Sequence, residues 1–166
     1  MYTTLQQFLD EWRGEAMMTE SMMEHLTDES LDTKVHEDGR TLGFIAWHIV
    51  QTLGEMMSRT GLEYQSISED TPIPSSAKEI ARMYGEAAQK LAEALGAQWT
   101  DESLDIEVDM YGEKWQNRRT LHSLIKHQVH HRGQMSTMMR FAGLTVPGTY
   151  GPSKEEWAKY GLPPHP

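Results

Sequence analysis

The amino-acid sequence predicts an all-α protein, a four-helix bundle with a small β-hairpin before the last long helix. Four long segments repeat apolar residues with the helical period of about 3.6, and one short segment alternates apolar and polar residues as a strand does. The chain has 166 residues, of which 38% are hydrophobic, so it is long enough to bury a core. We therefore expect residues 1–166 to form a single domain, a bundle with up-down tendencies in its connectivity.

The first two helices are expected at residues 3–27 and 41–60, each with one apolar stripe. The polar residues 28–39 between them indicate a connection, and Gly61 is placed to end the second helix. One histidine, His48, falls within the apolar stripe of the second helix.

The third helix is expected to open at Ser76, whose spacing to Glu79 matches a capping box, and to end at Gly96. Residues 104–110 then alternate strictly between apolar and acidic side chains, which predicts a strand. Residues 114–116 can return as a short second strand after a turn. The pattern is typical of a hairpin inserted before the last long helix.

The last long helix is expected at residues 119–142, and residues 153–160 are expected to add a short one. His127 and His131 are four residues apart, which on a helix separates them by only about 40° and places their Cβ atoms about 5–6 Å apart. Two imidazoles at this spacing can bind one metal ion. They share a face with Leu121, Leu124, Gln128, Met135 and Met138. Unpaired imidazoles in a core are costly, so the pair indicates a metal site, or else two ordinary helix-surface histidines.

His48 is the candidate third ligand. A single histidine on an apolar face is more often a core residue than a ligand, but with the pair it would complete a three-ligand site that keeps one position open, as catalytic zinc sites do. Three further residues are candidates for supporting contacts. Gln134 projects close to His127, His130 flanks the pair, and Glu55 is either an outer partner or a solvated charge.

Several kinds of site are excluded. Gln128 stands where the His-Glu-x-x-His motif of metalloproteases has its glutamate, and an amide cannot act as a general base. No histidine has a glutamate three residues before it, which excludes a ferritin-like di-iron centre. The chain has no cysteine, so disulfides, thiolate zinc sites and a cysteine nucleophile are excluded as well.

The formal net charge of −10 argues against nucleic-acid binding, which needs clustered basic residues. The amino-terminal residues have neither a basic region nor an apolar core, so we expect no signal peptide. No apolar run is long enough to cross a membrane. These features predict a cytoplasmic protein that binds neither nucleic acid nor membrane.

The motifs on the second and fourth helices resemble the DinB-like (YfiT-like) family of metalloenzymes. The first is Ala46-Trp47-His48-Ile49. The second is the string His127-x-x-His130-His131-Arg132-Gly133-Gln134, which is the more specific of the two. The resemblance extends over nearly the whole chain, including the hairpin and the segment Gly143-Leu144-Thr145-Val146-Pro147.

This resemblance implies a DinB-like bundle with one divalent metal, zinc or nickel, held by His48, His127 and His131. It also implies a homodimer, and a function in which a low-molecular-weight thiol such as bacillithiol takes part. The favoured function is therefore an S-transferase, in which the cation holds the thiol as a thiolate that attacks an electrophilic small molecule. A hydrolase that activates water, or a non-catalytic metal-binding dimeric bundle, are the alternatives.

Overall fold

The computed structural model describes residues 1–163, and within them four α-helices surround the core. The helices are α1 (Leu5–Glu24), α2 (Leu42–Ser58), α3 (Ala77–Gln98) and α4 (Asn117–Phe141), and the strands are β1 (Glu107–Met110) and β2 (Glu113–Gln116). Short 3-10 helices span Asp28–Asp32, Asp101–Asp105 and Trp157–Tyr160. The predicted bundle with a hairpin before its last helix is confirmed. Within the described residues, no helix is both long and apolar enough to span a membrane.

Each helix packs against two others, so that the order around the bundle is α1, α3, α2, α4. α1 and α4 run in the same direction, because the residue numbers of their contacts rise together. The Tyr2 carbonyl accepts a hydrogen bond from Arg118 at 3.0 Å, and Glu15 pairs with Arg132 further along both helices. α1 and α3 run in opposite directions, as the hydrogen bond from the Leu5 N–H to the Asp101 carboxylate at the far end of α3 requires.

α2 and α3 are parallel, because both begin beside the first 3-10 helix. At that end the Asp28 carboxylate accepts a hydrogen bond from the Ala77 N–H at 2.7 Å. Because α2 and α3 are parallel, the connection over residues 59–76 must span the length of the bundle. It lies along α2, where Trp47 donates its indole N–H to the Thr71 carbonyl at 3.0 Å. The expectation of simple up-and-down connectivity is therefore wrong for this pair.

The two ends of α3 differ from the sequence prediction. Ser76 is the N-cap as predicted, but its side chain accepts no capping hydrogen bond. Glu79 instead pairs with Arg82 at 2.6 Å. α3 also continues through Gly96 to Gln98, since one glycine costs a helix only about 1 kcal/mol and tertiary packing overrides it.

The first strand is shorter than the alternation of residues 104–110 predicted. Leu104 is fully buried in a 3-10 helix, and the paired strand begins only at Glu107. Tyr111 and Gly112 form the turn with φ values of 57° and 83°. A two-residue hairpin turn of type I′ needs positive φ at both central positions.

The bundle interior contains one ion pair, between Arg132 of α4 and Glu15 of α1, with side chains 3% and 8% exposed. The Arg132 guanidinium also donates to the Glu15 backbone carbonyl at 2.6 Å and to the Thr19 hydroxyl at 3.1 Å. Tyr150, from the segment after α4, donates its hydroxyl to the Glu15 carboxylate at 2.8 Å. This network ties α1, α4 and the following segment together.

Replacing Glu15 with Ala should lower the free energy of unfolding by about 3–5 kcal/mol, because Arg132 would keep its charge in a buried site without a carboxylate. Urea denaturation of the parent and the variant measures this loss. The control is Glu86→Ala, which removes an exposed partner of Arg82 and should cost less than about 1 kcal/mol. Equal losses in the two variants would contradict a stabilising role specific to the buried pair.

Candidate metal centre

Three histidine side chains meet where α2 packs against α4. His48 comes from α2, and His127 and His131 come from successive turns of α4. The His127 Nε2 atom lies 3.1 Å from the Nε2 of His48 and 3.0 Å from the Nε2 of His131. One ring nitrogen from each of the three lies within 4.8 Å of the others. The structure thus brings together the three residues that the sequence singled out.

Contacts on the far side of two rings indicate which nitrogen holds the proton. The Nδ1 of His131 lies 2.7 Å from the Gln134 amide oxygen, which can only accept, so the proton is on Nδ1. The Thr52 hydroxyl donates to the Ile49 carbonyl at 3.1 Å. Its lone pairs are then free to accept from the Nδ1 of His127 at 3.5 Å. Both rings therefore present an unprotonated Nε2 to the centre of the cluster.

This protonation pattern fits a cation. The Nε2 lone pairs of His127 and His131 face each other at 3.0 Å, a contact that is repulsive unless a proton or a metal ion lies between them. Nitrogen ligands bind zinc at about 2.0–2.1 Å, so two of them 3.0–3.1 Å apart can share one ion. The cluster is compatible with a divalent metal, and fixed Nδ1–H contacts are the usual outer support of histidine ligands.

All three imidazoles are biased toward the neutral form. Burial lowers the pKa of His127 to about 4, and the neighbouring His131, His48 and His130 act in the same direction. Burial likewise lowers the pKa of His48 and of His131. Metal ligation requires the neutral ring, so no proton has to be displaced from the cluster near neutral pH.

Two of the candidate supporting residues do not contact the cluster nitrogens. Glu55 accepts a hydrogen bond from the Tyr111 hydroxyl at 2.7 Å and pairs with Arg59 at 3.1 Å. His130 is exposed, and its ring centroid lies 4.9 Å from that of His131. Within residues 1–163 no carboxylate and no fourth histidine joins the three. An ion held there would therefore keep positions for an external ligand.

The third candidate, Gln134, supports His131 rather than His127, because an i, i+3 contact on α4 brings its amide to the nearer ring. Two neighbours of the cluster on α2 were not predicted from the sequence. Thr52 follows His48 by one turn and touches His127. Phe44 precedes His48 by one turn and lies parallel to its ring, with centroids 6.1 Å apart. Their i, i+4 spacing from His48 is a signal that would have found both.

The sequence matches a known family over almost its entire length. The sequence model of the DinB family matches residues 1–165. The protein YrdA of Bacillus subtilis (strain 168) is 48% identical over 162 residues, which covers 98% of this chain and 97% of YrdA.

Solved structures show the same fold. A DinB-like protein from Bacillus cereus ATCC 10987 superposes with a TM-score of 0.87 and 45% identity, covering 90% of this chain and 100% of that one. The DinB-like protein YjoA from Bacillus subtilis has a TM-score of 0.67 at 20% identity, covering 86% of this chain and 97% of its own. The second similarity concerns the fold alone.

We expect the purified protein to bind about one equivalent of zinc or nickel, and His48→Ala to weaken that binding by more than about 100-fold, since loss of an outer contact alone costs about 10–100-fold. The protein is titrated with zinc or nickel and dialysed, and the metal that stays bound is measured by elemental analysis. His122→Ala, on α4 but outside the cluster, is the control and should bind as the parent does. Undiminished binding by His48→Ala would show that α2 supplies no ligand.

The lowered histidine pKa values also predict a pH dependence of stability for the metal-free protein. Between pH 6.5 and about 4 the unfolded chain protonates His127 while the folded chain does not. The free energy of unfolding should therefore fall as the pH decreases through this interval. The variant His127→Gln should lose part of that slope in urea denaturation measured from pH 7.5 to 4.5. If the free energy of unfolding depended on pH in the same way in the two proteins, a lowered pKa of His127 would be contradicted.

Proposed function

Because the chain belongs to the DinB family, whose sequence model matches residues 1–165, we propose that it is a divalent-metal-dependent S-transferase. It would conjugate a low-molecular-weight thiol of the bacillithiol type to an electrophilic small molecule. His48, His127 and His131 are the proposed ligands of one zinc or nickel ion. A homodimer belongs to the same proposal, as the family resemblance implies.

The observation that supports this proposal best is the composition of the cluster. It consists of three neutral imidazoles, and among the described residues no carboxylate joins them. A bound divalent ion would therefore keep its full charge for an anionic external ligand. When bound, such an ion lowers the pKa of a thiol in contact with it and favours the thiolate at neutral pH.

The protein side chains have separate tasks in this scheme. Gln134 holds the proton of His131 on Nδ1, and Thr52 does the same for His127, so that both Nε2 atoms face the centre. Packing of α2 on α4 keeps these rings half-buried or buried, which limits competition from protons and water. The Phe44 ring lies parallel to the His48 ring and covers one side of it, with centroids 6.1 Å apart.

The reaction needs a sulfur nucleophile from outside the protein, because the chain has no cysteine. The S–H proton of the thiol passes to solvent, and its sulfur forms the new bond to an electrophilic carbon. The bond from that carbon to its leaving group breaks with the electron pair. The three histidines would supply no proton in this scheme, since they would hold the ion.

We expect the metal-loaded protein to accelerate the conjugation of bacillithiol to 1-chloro-2,4-dinitrobenzene over the uncatalysed reaction. His127→Ala should reduce the catalysed rate by at least about 100-fold, as expected when a metal-activated nucleophile is lost. Absorbance of the thioether product, with mass spectrometry to identify it, measures the rate. Prior removal of metal with a chelator should have the same effect, and adding zinc or nickel back should restore the rate.

The matched control for this experiment is His122→Ala, which should keep the parental rate. Ester hydrolysis at equal rates with and without thiol would favour the hydrolase alternative, in which water is the nucleophile. Absence of any metal-dependent reaction with either nucleophile, in protein that binds metal, would leave the non-catalytic alternative.

A further inference from the structure

One arginine near the histidine cluster has no acidic partner. Six of the eight arginines in the described part of the chain pair with a carboxylate within 4 Å: Arg59, Arg82, Arg118, Arg119, Arg132 and Arg140. Arg13 and Arg40 do not. In a chain with 25 acidic residues and a net charge of −10, a cation without a partner marks a place where a negative charge from outside would be stabilised.

Arg40 is held in place by stacking rather than by an ion pair. Its guanidinium carbon lies 4.8 Å above the centre of the Phe44 ring, a distance within the range of cation–π contacts. Phe44 in turn lies parallel to His48, so guanidinium, phenyl ring and imidazole form one layered series. Burial lowers the pKa of His48 and His131, and the charge of Arg40 acts on both in the same direction. Arg40 is thus electrostatically close to the cluster although it binds none of its nitrogens.

Arg40 lines a cavity of about 710 Å³ at the end of the groove between α2 and α4. This volume lies within the range of about 300–1,000 Å³ found for small-molecule sites. Its apolar wall includes Val35, Ile45 and Met138, and its polar wall includes Gln134. Gln134 is also the residue that holds His131, so the cavity adjoins the cluster.

We propose that this cavity binds an organic monocarboxylate, with the carboxylate on Arg40 and the apolar body against Ile45 and Met138. One planar guanidinium presents paired N–H donors that match a carboxylate. A single positive charge balances one negative charge, which favours a carboxylate over a phosphate dianion. The inference rests on the proposed function in one respect. It assigns the bound carboxylate to one of the two reactants at the histidine cluster, the thiol or the electrophile.

The test uses a probe that contains no thiol and no electrophile, so that its outcome does not depend on S-transfer. Isothermal titration calorimetry of the zinc-loaded protein at low ionic strength compares 2-naphthoate with neutral 2-naphthylmethanol. We expect naphthoate to bind about two- to fivefold more tightly, the advantage of a partly exposed ion pair. The variant Arg40→Gln should remove this preference and leave the affinity for naphthylmethanol unchanged. Arg40→Lys, which keeps the charge but not the planar fork, should retain part of it.

Arg13→Gln is the matched control. Arg13 is the other arginine without a carboxylate partner, and it lines a cavity of about 740 Å³ between α1 and α3, opposite the groove between α2 and α4. We expect this variant to keep the full preference for naphthoate. Loss of the preference in Arg13→Gln instead of Arg40→Gln would place the anion site at that cavity and overturn the inference.

Two other outcomes would also overturn it. Equal affinities of the parent for the two probes, or no binding of either at millimolar concentration, would show that the cavity does not select carboxylates. A preference that survives in Arg40→Gln but disappears in metal-free protein would show that the carboxylate binds the zinc ion directly. None of these results bears on whether a thiol reacts at the cluster, so the S-transferase proposal is tested separately.

Discussion

The rotation of α4 about its axis is the constraint on which the candidate site depends. His131 and Arg132 are neighbours in sequence, and a helix separates successive side chains by about 100°. One of them therefore faces α2, and the other faces α1. Because Arg132 forms a buried ion pair with Glu15 of α1, Arg132 faces α1 and His131 faces α2. A rotation of α4 by one residue would bring a guanidinium to the cluster and leave an imidazole against a carboxylate.

The direction of the helices matters as much as their rotation. α2 runs opposite to α4, so that residues one turn apart on α2, His48 and Thr52, both reach His127. This arrangement follows from the long connection over residues 59–76, which lets α2 and α3 begin at the same end. The connection is anchored to α2 by hydrogen bonds from Trp47 and Gln51 to its carbonyls. It therefore contributes to the site by holding the helix that carries His48.

The sequence predicted the features that depend on residue spacing along one helix. It was less successful for features that depend on contacts between distant segments. The i, i+4 separation of His127 and His131 was sufficient to place them on one side of α4. Periodicity cannot say which residue of α2 lies opposite them. His48 was included because it lies in the apolar stripe of α2 and would complete a three-ligand site, and the family resemblance implied the same residue. The alternation over residues 104–110 was misleading, because a buried Leu104 satisfies it equally well in a 3-10 helix. Gln134 was placed near the wrong histidine, since spacing alone does not determine the rotamer of a long side chain.

The distribution of charge around the cluster differs from that of the whole chain. Acidic residues outnumber basic ones by 25 to 15, yet within residues 1–163 none joins the histidines. The nearest acidic candidate on α2, Glu55, is engaged by Tyr111 and Arg59. Arg40, in contrast, stands beside the cluster without an acidic partner. A site that combines neutral metal-binding groups with a free cation is suited to negatively charged ligands, and the acidic remainder of the surface would disfavour their binding elsewhere. The proposed thiolate at the histidines and the proposed carboxylate at Arg40 both rest on this one asymmetry of charge.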